Sequence, residues 1–133
     1  MSRDIYITEP DKAKLIELIE TALHSNIKNK YIEELSLEIN KALIIAPHKV
    51  APNVVTMHSR VNLVLNGEEK EIQLVFPEEA EPFNNKISIL SPIGTAILGY
   101  AEDDSIEWET PAGKAKIIIK KLLYQPEAAG EYE

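Results

Sequence analysis

Few side chains in this chain of 133 residues are placed to do chemistry. There is no cysteine, which excludes disulfides and thiolate metal sites. His24, His48 and His58 are scattered, and no two of them stand at helical or strand spacing from each other. Glu102-Asp103-Asp104 is a run of hard oxygen donors of the kind a divalent cation takes, although successive acids in a loop are usually only solvated. Phe76, Phe83, Tyr100, Trp108 and Tyr124 could line an apolar pocket, but at 6% aromatic content their ordinary place is the core and its rim. No catalytic group, metal or cofactor is expected. The segment that holds Ser88, Ser91 and Pro92 is the one around which the rest of the chain is organised.

Those residues stand in Lys86 to Gly99, KISILSPIGTAILG. Ile87 and Ile89 alternate with Ser88, the period of a half-buried strand. Ser91 is a suitable helix cap, and Pro92 suits the first turn because its missing N–H would have no partner there. Ile93, Ala96, Ile97 and Leu98 supply an apolar face, and Gly99 can take the left-handed geometry that ends a helix. So short a helix forms only under cover. A sheet built from the surrounding segments must provide that cover.

The rest of the chain supplies two groups of elements. Thr8-Glu9-Pro10-Asp11 predicts a helix start, and Leu15, Leu18, Ile19, Ala22 and Leu23 recur at helical spacing. After a polar break the stripe resumes with Ile32, Leu35, Ile39, Ala42 and Ala46, and Pro47 is expected to stop it. The pair reads as an antiparallel hairpin, a short coiled coil over residues 1–47, each helix roughly 22–27 Å long at 1.5 Å per residue. Pro47 and Pro52 bracket a linker at 48–53. Val54 to Met57 is expected to open a second domain, 54–133, as a strand. Val61, Leu63 and Leu65, the Asn66-Gly67 turn, and Ile72, Leu74 and Phe76 then predict a β-hairpin. Strands around Ile106 and Trp108, and from Ala115 to Tyr124, complete a sheet. The run Ile117-Ile118-Ile119-Lys120-Lys121 breaks alternation and predicts a bulge or central burial. Gln125 to Glu133 reads as a polar, half-ordered tail. The fold class is α+β: a helical hairpin, then a twisted, mostly antiparallel sheet around one helix.

The net charge of −8 divides into −2 for residues 1–47 and −6 for the remainder. Such a surface repels bare nucleic acid, whose phosphates need Lys and Arg, and suits either solubility or a basic protein patch. No apolar run approaches the roughly 20 residues of a membrane span. The first residues, MSRDIYITEP, lack the apolar segment of a signal peptide, so a cytoplasmic location is expected.

Taken together, VVTMHSRVNL, the long stretch NGEEKEIQLVFPEEAEPFNNKISILSPIGTAILG, the DSIEW strand and TPAGKAKIIIKKLLY resemble the C-terminal domain of bacterial Gre-type transcript cleavage factors. The closing LLYQPEAAGEYE and the short hairpin are similar to the branch called regulators of nucleoside diphosphate kinase. The resemblance implies an FKBP-like half-barrel wrapped on a helix. It also implies binding at the rim of the secondary channel of RNA polymerase core, with the hairpin pointing inward. The positions matching the rim-facing turn are Ser88, Leu90, Ser91, Pro92 and Ile93; Leu90 stands where some Gre factors carry an acid. Gre factors use acids at the hairpin tip to hold a magnesium ion that activates water. Here the tip is His24 to Lys30, with Ser25, Asn26, Lys28, Asn29 and Lys30, and no acid lies between Glu20 and Glu33. The expectation is a monomeric, non-enzymatic polymerase-binding regulator that competes with Gre factors without stimulating cleavage, with an effect on nucleoside diphosphate kinase. The alternatives are a peptidyl-prolyl isomerase or an interaction adaptor on the same fold.

Overall fold

The computed structural model describes residues 5–24, 30–110 and 113–130. Helix α1 spans Glu9–His24, with Glu9 and Asp11 in its first turn, where the helix dipole favours acids. Leu15, Ile19 and Ala22 form its buried stripe. Helix α2 spans Lys30–Lys41, and Ile32, Leu35 and Ile39 are buried along it.

The second helix stops well short of Pro47. Strand β2, Leu43–Ile44, instead pairs in parallel with β1, Tyr6–Ile7. The Leu43 N–H donates to the Ile5 carbonyl and the Ile45 N–H to the Ile7 carbonyl, each at 2.9 Å. Lys12 Nζ donates to the Ala42 carbonyl at 2.8 Å and so satisfies a group that a helix end leaves free. These partners lie thirty or more residues away, so local periodicity carries no sign of them.

The five-stranded sheet has the order β5-β4-β3-β7-β6, from β3 (Arg60–Leu65), β4 (Glu68–Val75), β5 (Lys86–Ser88), β6 (Ser105–Thr110) and β7 (Gly113–Tyr124). Asn66 and Gly67 connect β3 to β4 with φ of 50° and 86°, the geometry the Asn-Gly pair predicts. β7 pairs with β3 through two register shifts, between Arg60 and Val61 and between Asn62 and Leu63. The expected bulge is therefore present. β5 runs parallel to β4, unlike the other neighbours. Parallel neighbours need a crossover, and 3-10 turns at Pro77–Glu79 and Pro82–Asn84 provide one.

Val54 to Met57 and the tail depart from expectation. Val54 to Met57 is not a strand: Val54 makes one bridge with Ala101, and Val55 and Met57 enter the core. Within the segment read as a linker, Val50 is buried, directly after a 3-10 turn at Pro47–Lys49. The tail is also docked, through the buried Gln125, Pro126 and Glu127. Gln125 Nε2 donates to the carbonyls of Ala51 and Val54 at 2.8 and 2.7 Å, and helix α4 follows at Pro126–Ala129. A polar tail orders here because its side chains partner backbone carbonyls that the irregular segment 51–54 leaves open.

Helix α3, Pro92–Ile97, lies against the sheet with Gly94, Thr95, Ala96 and Ile97 buried. It touches β5, β6 and α2. One hydrophobic cluster runs from Ile5, Leu15 and Leu35 through Met57, Ile89 and Ile97 to Ile106 and Ile117. The architecture is a mixed α+β fold.

Candidate functional site

The turn from β5 into α3 brings Ser88, Leu90, Ser91, Pro92 and Ile93 together. Ile89 is completely buried and fixes the turn from below, and its N–H donates to the Val75 carbonyl at 2.8 Å, prolonging the β4–β5 pairing. The Ser91 hydroxyl donates to the Ser88 carbonyl at 2.6 Å and accepts from the Gly94 N–H at 3.1 Å. The Ser88 hydroxyl accepts from the Leu90 N–H at 3.0 Å. Both serine hydroxyls are thus engaged with backbone, and among the described residues neither has a histidine or acid as its partner. They act as cap and brace.

Gly94 explains the tightness of this turn, since a Cβ there would stand 2.1 Å from the Ser88 carbonyl oxygen. Leu90 and Ile93 are partly buried and pack against the core, so Leu90 is not the fully exposed contact its position suggests. What the turn offers a partner is a rigid, half-exposed, mainly apolar surface.

Of the hairpin-tip residues, Ser25, Asn26, Lys28 and Asn29 lie outside the described residues, and Lys30 opens α2. The acidic loop has a structural use. Glu102 Oε2 accepts from the Leu122 N–H and Asp104 Oδ2 from the Ala101 N–H, both at 2.8 Å. Glu102 therefore serves a backbone group beside the bulge of β7. Three of the aromatics lie apart: Phe76 is in the core, Phe83 stands in solvent, and Tyr124 lies under Arg60, its ring centroid 5.6 Å from the guanidinium carbon. Among the described residues no group of three or more His, Cys, Asp or Glu is placed to hold a metal.

Sequence reasoning missed a polar junction where α1 meets the sheet and the C-terminal turn. Glu127, 8% exposed, accepts from the Thr56 hydroxyl at 2.8 Å, and that hydroxyl also pairs with Ser59 Oγ at 2.9 Å. Asp11 and Glu127 line a cavity of about 10 Å³ with Thr8, Val55 and Met57, among others. Burial first, and then the charge of Glu127, push the Asp11 carboxyl above its usual range; the Thr8 hydroxyl, His58 and Lys14 oppose this. Beside it, His58 Nε2 meets Glu79 Oε1 at 2.8 Å, and Lys14 lies 4.1 Å from the centre of the Phe76 ring and 3.6 Å from Glu78. Burial works to raise the Glu79 carboxyl, but His58, the Phe76 N–H and Lys14 together hold it below its usual range. The only sequence signal was Thr8 spaced three residues from Asp11.

The family model for the C-terminal part of the GreA/GreB transcription elongation factors matches residues 49–124. The chain is 35% identical over 136 residues to the regulator of nucleoside diphosphate kinase of Escherichia coli (strain K12), covering 99% of this chain and 98% of that protein. The chain belongs to the GreA/GreB family. Within that family, transcription elongation factor GreA of Thermodesulfovibrio yellowstonii is 37% identical over 71% of this chain and 61% of its own length. A solved GreA/GreB elongation factor from Nitrosomonas europaea superposes with a TM-score of 0.77 at 35% identity, covering 91% of this chain and all of that one. The relatives are transcription factors and regulators. No helix among the described residues is long and apolar enough to cross a membrane.

Proposed function

We propose that this Gre-family chain binds bacterial RNA polymerase core at the rim of the secondary channel and competes there with cleavage factors without stimulating cleavage. The Ser88–Ile93 turn is the contact, on a sheet that we read as FKBP-like. The paired helices form a hairpin that points toward the channel, residues 1–47 acting as the inserted unit and 54–133 as the holding unit. The observation that carries this reading is the absence of carboxylates where chemistry would require them. Residues 21–32 contain no acid and two lysines, Lys28 and Lys30. An ammonium group repels the Mg²⁺ that a cleavage factor must hold, and hard Mg²⁺ takes oxygen ligands. Reach points the same way, since the 16 residues of α1 span roughly 24 Å.

The protein acts in the cytoplasm as a monomer, without direct contact to nucleic acid, and it alters nucleoside diphosphate kinase through transcription. The test is competition with a Gre cleavage factor for polymerase core, joined to a cleavage assay on backtracked complexes. Displacement of the Gre factor with no added cleavage is the expected result. Robust cleavage stimulation, or no displacement, would sink the proposal.

A further inference from the structure

The loop that leads into β5 holds one aromatic ring wholly in solvent. Phe83 is 103% exposed, whereas Phe76, in the same connection, is 2% exposed. The loop that carries Phe83 is braced. Glu81 and Lys86 exchange two backbone hydrogen bonds at 3.0 and 3.1 Å, and the Asn84 N–H donates to the Glu81 carbonyl at 2.8 Å. The Glu81 carboxylate accepts from Asn84 Nδ2 at 2.8 Å and from Lys86 Nζ at 3.2 Å. Its backbone is ordered before any encounter, which lowers the entropic cost of docking. Exposure of such a ring contributes nothing to folding, while burying it against a partner removes about 150–250 Å² of surface from water.

The edge of β5 directs a partner to side chains. The Lys86 N–H and carbonyl are both taken by Glu81, and the Ser88 carbonyl accepts from the Ser91 N–H and hydroxyl. A partner strand therefore finds those groups occupied. The charge around the ring narrows the partner further. Residues 77–86 carry three acids, Glu78, Glu79 and Glu81, against one lysine, Lys86.

We propose that Phe83 is a second anchor for the polymerase surface that the Ser88–Ile93 turn contacts, seated in an apolar pocket with a basic rim. The inference rests on the polymerase reading above. The three residues of β5 separate loop and turn by roughly 10 Å at 3.3 Å per residue. An ordinary interface presents about 800 Å² per partner, so both fit within one footprint. Phe83 then supplies the aromatic anchor typical of an interface hot spot, and the turn supplies register.

The experiment measures affinity of the full chain, its Phe83→Ala variant and its Pro92→Ala variant for bacterial RNA polymerase core, with thermal unfolding of each. Phe83 lies outside the core, so Phe83→Ala should keep the wild-type Tm and lose tenfold or more in affinity. A smaller loss, with wild-type binding intact, overturns the anchor and leaves the polymerase reading standing. Failure of the wild-type chain to bind polymerase overturns both.

Discussion

Gly94 and Asp11 show what single positions contribute. Because the Ser88 carbonyl oxygen lies where a Gly94 Cβ would go, Gly94→Ala forces backbone, not a flexible side chain, to move. The expected loss is about 2–3 kcal/mol, read by urea denaturation, with weaker binding wherever the turn is the contact. Asp11 titrates in the opposite sense to an ordinary stabilising acid. Its folded carboxyl is raised by burial and by Glu127, so the folded state is penalised once the group ionises. Stability from this position is complete below the unfolded value, about 4, and is lost as pH rises through the raised folded value. Asp11→Asn should therefore raise Tm at pH 7, and the gain should vanish in acid. Glu79 has the reverse sign. Its lowered carboxyl stabilises above the unfolded value and loses that contribution as pH falls through the folded one. Glu79→Gln should lower Tm at neutral pH and match wild type in strong acid; a loss of equal size at both extremes would contradict the assignment.

Among the elements, the ends of the chain behave least like their composition. Gln125 is 3% exposed and serves two carbonyls as well as the Ala128 N–H. Gln125→Ala strands those carbonyls, at a cost of about 1–3 kcal/mol. A chain cut before residue 125 should lose at least as much, seen as a lower denaturation midpoint and faster amide exchange at Val55 and Thr56. The β1–β2 pair is a second such device. It replaces the last turn of α2 with bonds to the strand before α1, so the two helices are tied at their outer ends. The central stretch, in contrast, matches its sequence closely. Ser91 caps, Pro92 opens the helix, and Gly99 leaves it at φ 87°.

At the scale of the whole molecule, the helices and the sheet share one continuous cluster of buried side chains. Lys14 and Asp11 of α1 join it through a polar junction with His58, Phe76, Glu78 and Glu127. The molecule should therefore unfold in one transition, with far-UV and near-UV circular dichroism changing together. Separate transitions would show that the helices and the sheet are held independently. The same continuity positions the candidate surface, because α2 and β6 both press on α3 behind the turn.

Local chemistry accounts for what could be read from residue types alone. An Asn-Gly pair specifies its own turn, a Ser-Pro step its own helix start, and alternation its own buried face. Each rests on atoms within a few residues. The end of α2, the parallel placement of β5, the ordered tail and the Asp11–Glu127 junction were decided by groups thirty or more residues apart or by a crossover whose path no residue pattern specifies. Backbone groups left open by irregular segments must find partners, and only the packed chain determines which side chains are near enough to serve. The candidate turn draws on both. Its cap was visible in Ser91 and Pro92, whereas the burial of Leu90 and the free ring of Phe83 depended on how the sheet closed around it.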